Sequence, residues 1–211
     1  MSPKYYELDV CDWPKDYWVF WRLVSPQGPL ELRPEYQEFV CRKCKRLDVV
    51  AALEKGISAE IAGPSTNRDV VTSCDHLDLV SSKTKTALET VPGLEARFFS
   101  FPSSPERFVM FPVRPIYPPR EGRIFTPIEP PVEGEPFQLR SHPCKKCGRF
   151  RELTFQSQWF TVPTGVVLAG ILLESPRCPL ISWIGSQEVV NAIKTNDLKG
   201  WRIRKNAFRD E

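Results

Sequence analysis

The sequence predicts an α+β protein made of two similar small α/β lobes, each of mostly antiparallel strands with one main helix. Three observations predict it. Two basic two-cysteine knuckles, Cys41-Arg-Lys-Cys44-Lys-Arg46 and Cys144-Lys-Lys-Cys147-Gly-Arg149, occupy corresponding places in the two halves. Each half carries a serine-capped helical pattern, and each pattern leads into an apolar segment with strand character. A proline-dense stretch separates the halves. The expected organisation is an N-terminal lobe over 1–101, an extended connector over 102–140 and a C-terminal lobe over 141–211.

In chain order, Tyr5 to Val10 alternates two residue sets and predicts a first strand. Trp18 to Val24 reads as a second, ended by Pro26-Gln-Gly28-Pro29. The aromatics of residues 1–24 read as core. Leu47 to Leu53 fits a short helix or a strand, and 56–67 reads as loop around Gly63-Pro64. Asp69 to Ser81 is extended and passes into a helix over about Ser81 to Thr90. Ser81 or Ser82 caps it, and Thr84, Ala87, Leu88 and Val91 form one face. Pro92-Gly93 ends the helix and Leu94 to Phe99 returns as a strand.

The connector holds prolines from Pro102 to Pro136, which exclude a helix or a central strand over most of its length. Within it, Arg107 to Phe111 predicts a strand. Beyond the second knuckle, Glu152 to Phe155, Trp159 to Val162 and Val166 to Leu173 are strand-like. Cys178 to Gly185 leads into a helix capped by Ser186, with Val189, Val190, Ala192 and Ile193 on its buried side. Leu198 to Ile203 is the last strand.

The halves align at nearly constant offset. Cys41, Cys44 and Arg46 match Cys144, Cys147 and Arg149 at 103 residues, Cys74 matches Cys178 at 104, and Ser81 and Ala87 match Ser186 and Ala192 at 105. An internal duplication is therefore expected.

A Cys-x-x-Cys turn brings two sulfurs close enough to share one metal ion, and two such turns complete a tetrahedral tetrathiolate zinc site with no open position. Cys41, Cys44, Cys144 and Cys147 are accordingly the expected ligands of one structural Zn²⁺ that joins the lobes. Free thiols, or a site emptied by decay, are the second reading, and two separate sites that use Cys74, His76, His142 or Cys178 as extra ligands the third. The flanking lysines and arginines offset the net charge of about −2 on a zinc tetrathiolate. Gly148 suits a left-handed turn, whereas Lys45 at the matching position predicts a less regular first knuckle.

Composition narrows the function. With 41 % apolar residues among 211, a core forms without disulfides, and seven cysteines, an odd number, fit reduced thiols. The longest apolar run, Gly165 to Leu173, is too short to span a bilayer. The segment Met-Ser-Pro-Lys-Tyr-Tyr-Glu lacks the apolar stretch of a signal peptide, so a cytoplasmic location is expected. A net charge of +3 is too mild to argue nucleic-acid binding without a local patch. Phosphate-cradling glycine motifs are missing from the sequence. Cys74 and His76 match no activated nucleophile, and Asp75 and Asp78 read as solvated carboxylates near a helix entry. No catalytic residues are expected.

The spaced knuckles, each followed by an arginine after one residue, resemble the double-CXXCG motif family known chiefly from myxobacteria. The segment Asp78-Leu-Val-Ser-Ser-Lys-Thr-Lys-Thr-Ala-Leu88, with Gly93-Leu94 and an aromatic strand after it, is similar to a module of immunity proteins from bacterial polymorphic toxin systems. Ile184 to Ile193 resembles it too. The resemblance implies a non-enzymatic cytoplasmic antitoxin that binds a cognate protein toxin. The alternative is a zinc-ribbon nucleic-acid-binding or regulatory module, which the basic knuckles and the basic residues Lys199 to Arg209 favour.

Overall fold

A computed structural model describes residues 5–10, 22–23, 31–60, 66–73, 76–116, 133–139, 142–150, 153–156, 159–174 and 179–205. The architecture is α+β, with few helices and two four-stranded antiparallel sheets. The first sheet contains β4 (Val70–Thr72), β5 (Asp78–Ser81), β6 (Ala96–Ser100) and β7 (Arg107–Pro112), in the order β4-β5-β7-β6. The second contains β1 (Tyr5–Val10), β10 (Leu168–Glu174), β11 (Pro179–Ser186) and β12 (Trp201–Arg204), in the order β10-β11-β1-β12. Smaller antiparallel pairs join β2 (Arg22–Leu23) to β3 (Glu31–Leu32), and β8 (Phe137–Leu139) to β9 (Leu153–Phe155).

The two sheets share one plan. In the first, β5 runs directly into α2 (Ser82–Glu89), and in the second β11 runs directly into α3 (Gln187–Thr195). Each helix is followed by an edge strand, β6 or β12. The remaining position is filled from different parts of the chain. β7 follows β6 in sequence, but its counterpart is β1, from the opposite end of the chain. Registers correspond as well. Ser81 faces Arg107 and Asp78 faces Met110, while Ser186 faces Tyr5 and Trp183 faces Leu8. Sheet membership thus crosses the expected segments: β1 of 1–101 completes the second sheet, and β7 of 102–140 completes the first.

Local chemistry explains the helices. Ser81 adopts an extended conformation and its hydroxyl accepts from Thr84 N at 3.1 Å, so α2 begins where the serine satisfies an orphan amide. Thr84, Ala87 and Leu88 are its buried stripe. Ser186 holds the same place before α3, but its side chain accepts no capping bond. There the buried face of Val189, Val190 and Ile193 supplies the stabilisation. The ambiguous run after Leu47 is the helix α1 (Val49–Lys55). Asp48 accepts from Ala51 N, and Val49, Ala52 and Leu53 recur at helical spacing on the buried side. Trp159 to Val162 forms no extended strand among the described residues.

Packing follows the shared plan. One face of each sheet and both α2 and α3 enclose a common core that includes Leu8, Val80, Leu88, Met110, Trp183 and Val190. The opposite face of the first sheet packs on α1 and Tyr36 through Val71, Leu79 and Phe111. The opposite face of the second packs on the β8–β9 pair through Ile171 and Ile184. Burial of this apolar surface is the main favourable term.

The sheets are also tied at an edge. Asp69 N and Val70 N donate to Lys199 O, and Lys199 N donates back to Asp69 Oδ2 at 2.7 Å. Gly200 follows at φ +101°, and a Cβ there would lie 2.4 Å from the Val70 carbonyl oxygen. A methyl group would collide with backbone and occupy a left-handed conformation at once. Gly200→Ala is therefore expected to cost roughly 2–4 kcal/mol in urea denaturation.

Candidate metal centre

The two knuckles have the same backbone. In the first, Lys45 N donates to Cys41 O at 2.8 Å and Cys41 N donates to Arg46 O at 2.8 Å. In the second, Gly148 N donates to Cys144 O at 2.8 Å and Cys144 N to Arg149 O at 2.9 Å. Lys45 takes φ 60° and Gly148 takes φ 72°. The expected irregularity at Lys45 is absent, because the tight turn's hydrogen bonds hold the lysine in the left-handed region. A single bridge between Val40 and Leu47 closes the first loop at its base.

Cross-bonds then set the knuckles side by side. Arg46 donates to the carbonyl of Phe150, and Arg149 donates to those of Leu47 and Arg46, the last at 3.0 Å. Each arginine reaches across to backbone of the other knuckle. Reading the knuckle cations only as partners for thiolate charge missed this. The matching positions of Arg46 and Arg149 in the repeat were the available signal.

The sulfurs meet between the loops. Cys41 Sγ lies 4.0 Å from Cys144 Sγ, and Cys44 Sγ lies 3.5 Å from Cys147 Sγ. All four sulfurs lie within 4.8 Å of one another. A tetrahedral site with bonds of about 2.3 Å has sulfur–sulfur edges of about 3.8 Å, so these spacings fit a single tetrathiolate-bound ion. The donor set is soft and closed, a chemistry compatible with structural zinc.

Electrostatics divide the thiols. Backbone N–H groups of Cys44 and Lys43 aim at the Cys41 sulfur and pull its thiol down to about 6. The amides of Cys147 and Lys146 lower the Cys144 thiol likewise. Burial instead pushes Cys44 up to about 12. A divalent cation would displace the proton that burial retains, since coordinating thiols are deprotonated outright. Arg42, Lys43, Lys45, Lys145 and Lys146 are all exposed around the cluster.

Among the described residues, neither histidine joins it. His142 is exposed ahead of the second knuckle, and His76 lies in the turn between β4 and β5, at φ 59°. Neither belongs to the four-residue group. Cys11, Cys74 and Cys178 lie outside the described residues.

Asp78 corrects a sequence expectation. It is buried, not solvated, at 4 % exposure. Its carboxylate accepts from Thr72 Oγ1 at 2.6 Å and from Trp183 Nε1 at 2.7 Å, a partner 105 residues away. Desolvation pushes its pKa up to about 6 against these two hydrogen bonds. Asp78 and Trp183 hold corresponding positions on β5 and β11, so the bond links the two sheets at matching points.

Fold and site together define a two-sheet α+β protein with a tetracysteine cluster able to hold a metal ion. No protein-family model matches the chain, and neither a curated protein nor a solved structure gives a match.

Proposed function

We propose that this protein is a non-enzymatic immunity protein, a rigid antitoxin that binds a cognate protein toxin in the cytoplasm. Cys41, Cys44, Cys144 and Cys147 hold one structural Zn²⁺. The observation that carries the reading is the convergence of four sulfurs from knuckles 103 residues apart. A closed tetrathiolate ion has no position for substrate, so its role is to fasten a scaffold. The resemblance to double-CXXCG and immunity modules supplies the biology.

An internal duplication underlies the scaffold. Its support is the common strand order, the matched registers and the paired knuckles. In this reading β1 plays in the second repeat the part that β7 plays in the first, so the chain closes on itself. Among the described residues no helix is long and apolar enough to cross a membrane.

The second reading, a zinc-ribbon nucleic-acid-binding module, draws on the five exposed knuckle cations. Co-expression separates the two. If a gene beside this protein's own encodes a toxin, cells carrying that toxin are expected to survive when the protein is present, and the purified toxin is expected to form a stoichiometric complex with it. Absence of both, with duplex DNA binding that weakens steeply as salt rises, would favour the nucleic-acid reading.

A further inference from the structure

A groove of about 800 Å³ runs between the first knuckle, α1 and the second knuckle. That volume lies within the range of small-ligand and peptide pockets. Its apolar lining includes Phe39, Val50 and Phe150, together with Phe111 from β7 and Leu172 from β10. Both sheets therefore contribute, and the second knuckle forms one wall.

The charges around it are unequally committed. The carboxylate of Glu38 pairs with Lys55, and that of Asp48 caps α1 at Ala51 N. The Arg149 guanidinium is spent on the Leu47 and Arg46 carbonyls. Arg42 and Lys146 remain. Both line the groove, both are exposed, and neither side chain forms an ion pair or hydrogen bond among the described residues. Cys41 and Cys147 also line the groove, so the charge of about −2 on a zinc tetrathiolate adjoins it, but Lys43, Lys45 and Lys145, exposed on the same knuckles, outnumber that charge. The balance left for an occupant to meet is positive, above an apolar floor. The groove also lies where the halves differ. α1 follows the first knuckle, whereas the short strand β9 follows the second.

We propose that this groove binds an acidic peptide segment of a protein partner, with an apolar side chain on the Phe39–Val50 floor and flanking carboxylates on Arg42 and Lys146. The proposal rests on the reading of the protein as a partner-binding scaffold, and it names the chemistry of the partner's contact. Because one wall is the second knuckle, removing the metal should open the groove.

The test uses the full-length, metal-loaded protein and two labelled peptides, acetyl-Glu-Asp-Leu-Phe-Asp-Glu-amide and acetyl-Lys-Arg-Leu-Phe-Lys-Arg-amide, followed by fluorescence anisotropy. The acidic peptide is expected to bind roughly tenfold or more tightly than the basic one, as two ion pairs over an apolar contact allow. Arg42→Glu with Lys146→Glu is expected to reverse that preference, Val50→Glu to abolish binding of the acidic peptide, and Lys205→Glu to leave it unchanged. Chelation is expected to weaken binding. Equal affinity for the two peptides, no binding of either, or an unreversed preference in the double variant would overturn the proposal. Toxin protection is scored separately. Peptide preference that reverses in a protein giving no protection upholds the groove and removes the immunity reading; protection without peptide preference does the opposite.

Discussion

Cys44→Ser and Cys147→Ser are each expected to lose the metal and more than about 4 kcal/mol of stability, the scale of losing a structural metal. Either serine leaves three thiolates and a hard oxygen where four soft donors converge within 4.8 Å. The expected loss is large because an ion held by these sulfurs would join residues 103 apart, and its binding free energy would contribute directly to holding the halves together. The cross-bonds of Arg46 and Arg149 depend on the same juxtaposition. Metal analysis on purified protein and urea denaturation report both quantities. Cys11→Ser, at a cysteine that belongs to neither Cys-x-x-Cys pair, is expected to be nearly silent. Equal melting temperatures for all three variants would remove the case for a structural site.

The second large effect centres on the buried Asp78–Trp183 bond. The folded pKa of Asp78, about 6, is raised above the ordinary 3.8, so the folded state holds its proton to higher pH than the unfolded state does. The group's contribution to stability is therefore complete below about pH 4. It declines as pH rises towards 6, by an amount on the order of 3 kcal/mol, and is flat above. Asp78→Asn keeps an acceptor for Trp183 Nε1 and an amide that donates to Thr72 Oγ1. It removes the charge that burial penalises. The variant is expected to be more stable than the parent at pH 7 and to lose this advantage as pH falls from 6 to 4. Chemical denaturation of both proteins across that window measures the difference, which cancels groups common to both. Trp183→Phe is expected to destabilise by about 2–4 kcal/mol, because it strands one buried acceptor and leaves a void beside it.

Much of the site was legible in the sequence, and the reasons are local. A Cys-x-x-Cys turn carries its own geometry, so two copies with matching arginines announced the cluster. The α2 helix was equally plain, since Ser81, the Thr84–Ala87–Leu88 stripe and Pro92-Gly93 mark its start, face and end within a dozen residues. What escaped was long-range. Nothing in Tyr5 to Val10 says that its partners are β11 and β12, at the far end of the chain. Asp78 stands near polar Asp75 and His76 and so reads as solvated; its burial is met by Thr72 and by Trp183, the latter brought across from the other sheet. The run Val49-Val-Ala-Ala-Leu53 has no polar interruption to set a period, and the Asp48 cap decides for helix.

The most direct test of the central claim is X-ray absorption spectroscopy at the zinc edge on the full-length protein, with metal content measured on the same sample. One zinc per chain with four sulfur neighbours at about 2.3 Å is the predicted result. Two ions per chain, nitrogen or oxygen in the ligand shell, or a protein that folds equally well with no metal bound would contradict it.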